Sequence, residues 1–176
     1  DRPPPPPPPP FECLVRAPVS AGVTAPAGGS YFTWQKTQDG YLTGISSLVA
    51  SGGGVSPYLQ LDLGAGGYGD IVAIDLTARS DRALWQSRDL WVYVSDSASG
   101  FNASAANLCE GEVYPETLGE TVRVLCSPRP GMRYVTIVRN TVNTENYGLN
   151  RAVGVPRNVS GAAITLQEVA VLRSRE

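Results

Sequence analysis

YLQLDL, residues 58–63, alternates without exception: Leu59, Leu61 and Leu63 fall on one face, and Tyr58, Gln60 and Asp62 on the other. A period of two is that of a strand with one face buried and the other turned to solvent. Outward from this stretch the same period recurs. DIVAIDL, residues 70–76, predicts Val72, Ile74 and Leu76 inward, and DLWVYVSD, residues 89–96, sets Leu90, Val92 and Val94 against Trp91 and Tyr93. TVRVL (121–125) and RYVTIVR (133–139) repeat the pattern, and ITLQEVAVL (164–172) closes the series. Gly, Ser, Asn and Pro clusters separate these runs, and no stretch of a dozen residues holds a helical period. Short strands joined by irregular loops predict an all-β chain, a β-sandwich of jelly-roll type.

The last strand carries an irregularity. Ile164 and Leu166 share a face, but the next pair in phase is Val169 and Val171, so the period slips at Gln167-Glu168. A slip of one residue predicts a β-bulge there, turning a carbonyl and a carboxylate outward.

The composition narrows the chemistry. With 176 residues the chain suits one domain with a full core, and its formal charge of -2 lacks the clustered cations that nucleic-acid binding draws on. No histidine is present, which excludes Ser-His-Asp and Cys-His sites and histidine-ligated metals. The carboxylates show no acid/base spacing, and the glycines of SGGGVS and GAGGYGD precede no helix as a phosphate loop would require. The chain therefore reads as a non-enzyme without an organic cofactor. No apolar run reaches the ~18 residues of a transmembrane helix. No leader-type stretch opens the chain, which begins Asp-Arg-Pro as a mature product or a fragment does.

Ahead of the strands stands a run of eight prolines, Pro3, Pro4, Pro5, Pro6, Pro7, Pro8, Pro9 and Pro10. Such a run adopts polyproline II, rising ~3.1 Å per residue, and without backbone donors it cannot enter a sheet. It reads as a spacer, as a ligand for an aromatic groove, or as a hydroxylated and O-glycosylated shaft. The expected division is a polyproline II rod over residues 1–12 and a sandwich over 13–176, with a long insert at about 140–162. The insert's Tyr147, Leu149, Val153 and Val155 suit either a subunit contact or a decorated surface loop.

YLQLDLG, the strand after it, DLWVYVSDSASG, RYVTIV and ITLQEVAVLR, in that order, resemble the core strands of the discoidin (coagulation factor 5/8 type C) superfamily. Within it, roughly residues 30–174 are most similar to the F-type, fucose-binding lectins. The resemblance implies a galactose-binding-like sandwich and a disulfide between Cys109 and Cys126, which would stabilise by ~3 kcal/mol. It also implies a sugar site built on a histidine and the pattern Arg-x-Asp-x-x-x-x-Arg/Lys. Arg79 and Asp81 match the first half; Gln86 stands at the second basic position, with Arg82 and Arg88 out of register, and the histidine is missing. Arg79, Asp81 and Arg88 are the candidate sugar-binding residues, although Arg79 and Asp81 read first as a loop salt bridge; Trp85 and Trp91 read first as core and second as a stacking face for a sugar. The resemblance further implies a structural calcium ion at Asp39 and Glu168, the alternative being a solvated turn and a surface carboxylate.

Two sequons, at Asn102 and Asn158, and three cysteines point to an oxidising, secreted setting: cell wall, matrix or cell surface. Cys13, the odd one, reads as a link to another chain or as a buried thiol. The proline block resembles the hydroxyproline-rich glycoproteins of algal and plant cell walls. The expected function is a structural glycoprotein of a matrix or surface fibril, its partners copies of itself and covalent glycans. The alternative is a lectin or adhesion module that binds fucose- or galactose-type carbohydrate, with the rod as tether.

Overall fold

Nine strands are present among the described residues, and the six with alternating sequence form because each can bury one face. β1 is Leu14–Arg16, β2 Ala21–Ala25, β3 Val49–Ala50, β4 Tyr58–Asp62, β5 Ile71–Ala78, β6 Leu90–Ser95, β7 Thr121–Leu125, β8 Tyr134–Arg139 and β9 Thr165–Ser174. The structure, a computed structural model, describes residues 14–25, 34–38, 49–50, 58–65, 70–81, 84–101, 104–139 and 164–174. Pro3–Pro10, Cys13, Asp39, Arg82, Asn102, Asn158 and the insert at 140–162 lie outside the described residues.

The strands make two antiparallel sheets. One runs β1-β9-β5-β7, with β3 also on β9; the other runs β2-β4-β8-β6. Short 3-10 turns at Trp34–Gln38, Leu84–Ser87 and Ala105–Asn107 are the helical elements among the described residues. The core lies between the sheets. Leu59, Leu61, Leu63, Leu90, Val92, Val94, Val135 and Ile137 come from one, and Ile74, Leu76, Val124, Leu166, Val169 and Val171 from the other. All six strands expected from the alternation are present, and the architecture is an all-β sandwich of two antiparallel sheets.

Two bulges set where side chains point. On β9, Thr77 pairs with Glu168 and Ala78 with Leu166, so Gln167 is the extra residue, as the slipped period predicts. The expectation that this bulge turns a carboxylate outward is corrected, since Gln167 and Glu168 are both buried. The ion pair that holds Glu168 comes from β1, a strand outside the alternating runs. A second bulge was not foreseen: Ile71 pairs with Arg173 and Ala73 with Leu172, which leaves Val72 over. Ile71 and Ala73 are therefore buried and Val72 only half-buried, correcting the expected Val72, Ile74, Leu76 face at its first position.

The other face of the β4-β8-β6 sheet is partly covered. Gln60 donates to the main-chain oxygen of Ala98 and to Thr136 Oγ1, which ties the 96–101 loop over the sheet. Phe101 packs there on Tyr58 and Tyr93, with centroids at 6.4 and 5.5 Å. Trp91 projects on this same side, half-buried between core-facing Leu90 and Val92, so it is not a core tryptophan. Gly22 has no side chain for a local reason: a Cβ there would lie 2.7 Å from the Trp34 ring.

Candidate functional site

Arg79 follows β5 directly, at the end of the sandwich where β8 also ends and β6, β7 and β9 begin. The turn after β5 is Arg79-Ser80-Asp81, and the Leu84–Ser87 turn folds back onto it. Arg79 donates through Nε and Nη2 to the two carboxylate oxygens of Asp81, each at 2.7 Å, and through Nη1 to Gln86 Oε1. A bidentate guanidinium–carboxylate pair fixes orientation as well as charge. The sequence left Arg79 and Asp81 open between ligand-facing groups and a loop salt bridge; the structure joins them as a salt bridge and adds Gln86.

The backbone under this cluster is pinned. Ser87 Oγ accepts from the Arg79 amide at 3.2 Å and donates to the main-chain oxygen of Thr165 at 2.5 Å, coupling β5 to β9. Thr165 Oγ1 also donates to Gln86 Oε1 at 2.9 Å. Arg139, the last residue of β8, donates through Nη2 to the main-chain oxygen of Gln86 at 3.1 Å. Two arginines thus converge on Gln86, one on its side chain and one on its backbone. The motif identified Arg79, but Arg139 lies 60 positions along the chain and in no fixed spacing to it; its buried position on an alternating strand was its only sequence signal.

Arg88 is occupied elsewhere. It donates to the main-chain oxygens of Pro115 and Glu116, at 2.7 and 3.0 Å, and its guanidinium lies 4.6 Å from the Tyr114 ring centroid. The 114–120 loop that it holds also touches Arg79, whose main-chain oxygen accepts from the Gly119 amide at 3.0 Å. Tyr114 and Leu118 are exposed on this loop, an apolar rim beside the polar cluster. Asp89, in the left-handed region at φ 53°, completes the group. Burial pushes its carboxyl above the ordinary range and Glu112 adds to the shift, while Arg139 and Arg88 oppose it. The side chain of Trp85 is outside the described residues.

Of the two residues assigned to calcium, Glu168 stands on β9 and is ion-paired with Arg16 of β1, while Asp39 lies outside the described residues. Three oxygens meet Arg16 Nη2: Glu168 Oε1, Gln38 Oε1 at 3.1 Å and the main-chain oxygen of Val169 at 3.4 Å. Gln38 Nε2 donates to that same Val169 oxygen at 2.8 Å. Calcium at Glu168 Oε1 would compete with the guanidinium, which already pairs with that oxygen. Among the described residues no group of three or more Cys, Asp or Glu stands together as a metal site would. Away from both clusters, Cys109 and Cys126 form the disulfide implied by the resemblance, with Cα atoms 4.3 Å apart.

No family model matches the chain. No curated protein matches it either. Solved structures do. An F-lectin (fucolectin) from the serum of striped bass, Morone saxatilis, superposes with a TM-score of 0.62 at 18% identity, over 88% of this chain and 46% of that one. The chain thus spans about half the length of that lectin. A fucose binding module of Streptococcus pneumoniae gives 0.62 at 16% identity, covering 91% of this chain and 96% of the module. The lectin domain of lectinolysin, complexed with Lewis B antigen, gives 0.58 at 16% identity over 88% and 92%. With both sheets, their strand order and these likenesses in view, the chain has the galactose-binding-like, discoidin-type β-sandwich fold that F-type lectins and fucose-binding modules share.

Proposed function

We propose that the chain is an extracellular carbohydrate-binding module that holds a glycan at the Arg79 end of the sandwich, with the proline run as its tether. The observation that carries this is the Arg79 guanidinium. Three of its five N–H groups are spent on Asp81 and Gln86, and its side chain is only 10% exposed, so its ordering is already complete before a ligand arrives. A fixed planar donor with N–H groups to spare, held by a carboxylate on the same turn, suits the paired hydroxyls of a pyranose. Exposed Tyr114 and Leu118 at the rim offer apolar surface to the ring carbons. The disulfide and the serum origin of the striped bass lectin support the extracellular setting.

The sequence placed assembly into a fibril first and sugar binding second; the structural neighbours favour the second. The residues behind an assembly role, Pro3–Pro10, Cys13 and the insert, lie outside the described residues. A glycan array probed with the whole chain tests the proposal. Binding to fucosylated or galactosylated probes, reduced about tenfold or more in Arg79→Ala, is expected, since a charged donor contributes about 1.5–3 kcal/mol. A chain that binds no probe, or an Arg79→Ala variant that is folded and binds as well as the parent, would overturn it.

A further inference from the structure

The way Gln86 is held bears on which glycans this site accepts, an inference that rests on the carbohydrate-binding reading above. A glutamine amide is two-sided, and its neighbours decide which side faces where. Gln86 Oε1 accepts from Arg79 Nη1 and from Thr165 Oγ1. A guanidinium can only donate, so the amide cannot turn over without setting its NH₂ against the Arg79 cation. Nε2 therefore points away from Arg79, on a side chain that is part exposed, and among the described residues no acceptor takes it. The residue presents two neutral donors next to the spare N–H groups of Arg79.

Among the described residues the charges around it are balanced. Asp81 neutralises Arg79 through both oxygens. Arg88 and Arg139 flank Asp89, which also feels Glu112. The 114–120 loop adds Glu116 and Glu120, the latter accepting from the amides of Glu116 and Thr117. Among the described residues these three guanidiniums are thus matched or outnumbered by carboxylates; Arg82, next to Asp81 in the sequence, lies outside them. An anionic sugar entering here would meet paired cations and nearby carboxylates, whereas a neutral sugar needs only donors and acceptors.

We propose that Gln86 is a specificity-determining residue: its amide is the second donor of the site, and it makes the site select uncharged glycans, with adjacent hydroxyls bridging Arg79 and Gln86. Sulfated, uronic-acid and other anionic glycans are discriminated against.

The test uses the whole chain on neutral fucosylated and galactosylated oligosaccharides, each paired with the same oligosaccharide carrying a sulfate or a terminal uronic acid. Neutral probes are expected to bind about tenfold or more tighter than their anionic partners. That binding should change little between about 50 mM and about 500 mM NaCl, because no net ion pair forms. Gln86→Met keeps the side-chain volume without the amide, and is expected to lose about tenfold on neutral probes. Gln86→Lys adds a cation and is expected to shift preference toward the anionic probes by about tenfold. Urea unfolding of both variants separates a binding loss from misfolding. Equal or tighter binding of anionic probes by the parent, a steep salt dependence, or a folded Gln86→Met variant that binds like the parent overturns the inference. In each of these results glycan binding itself stands. Absence of binding to every probe, neutral and anionic, overturns the underlying reading instead.

Discussion

Arg16→Met tests whether a protein cation does the work at Glu168 that a metal ion could do. The Glu168 side chain is 6% exposed and its partner 39% exposed, so the pair is buried on one side only. Removing one partner of a fully buried pair costs about 3–5 kcal/mol, mainly because the other charge stays behind. Water reaches the Arg16 side, which screens the interaction and lowers the expected cost to about 2 kcal/mol. For a domain of this size that corresponds to a fall of about 4–8 °C in Tm by differential scanning fluorimetry or calorimetry. Arg16→Met/Glu168→Gln removes both charges and should return to within about 1 kcal/mol of the parent, the signature of a coupled pair. Calcium adds a separate readout. Without the guanidinium, Glu168 Oε1, Gln38 Oε1 and the Val169 oxygen face the space it filled, and these are hard oxygen donors. Millimolar calcium should therefore raise the Tm of Arg16→Met and leave the parent unchanged. An Arg16→Met protein that melts with the parent, or a parent that calcium stabilises, would refute the reasoning.

Three other perturbations have defined outcomes. Cys109→Ser/Cys126→Ser opens a loop with a sequence separation of 17, and urea unfolding should show a loss of about 3 kcal/mol. Gly22→Ala puts a Cβ 2.7 Å from the Trp34 ring and should cost about 1–3 kcal/mol, with a shift in tryptophan fluorescence as that ring moves. Asp89→Asn should stabilise the chain at neutral pH. The folded-state pKa of Asp89 is raised, so the native state binds more protons than the unfolded chain between the ordinary and the raised value. Stability therefore falls as pH rises through that window and stays reduced above it; the asparagine variant should lack this step and also suits the left-handed backbone. Urea midpoints of parent and variant that run parallel from pH 4 to pH 7, within about 0.3 kcal/mol of each other, would count against it.

The framework was legible in the sequence where burial imposes a period. Leu59, Leu61 and Leu63 could only share a face, and the slip between Leu166 and Val169 marked the bulge because one extra residue is the only way to keep both pairs inside. The bulge at Val72 left no such mark, since Ile71, Val72, Ala73 and Ile74 are all apolar and the alternation is silent within an apolar run. β1 to β3 escaped notice for a related reason: β1 and β3, of three and two residues, are too short to establish a period, and β2, AGVTA, holds a single large apolar residue.

The candidate site was half legible, and the division has a physical basis. Arg79 and Asp81 are two residues apart on one turn, so their pairing is local and the spacing reports it. Arg139, Thr165 and Ser87 join them through contacts across three elements, which no spacing encodes. The same holds for Arg16, which meets Glu168 across 152 positions. In both clusters a long cationic side chain at a strand terminus reaches a polar group on another strand or turn. Arginine suits that place because its planar fork spans oxygens on separate elements, at strand ends where backbone carbonyls leave the ladder. Gln86 stands where the pattern has a second cation, and it takes Arg79 on its side-chain oxygen and Arg139 on its main-chain oxygen, so two guanidiniums meet at a position whose spacing shows only a neutral residue.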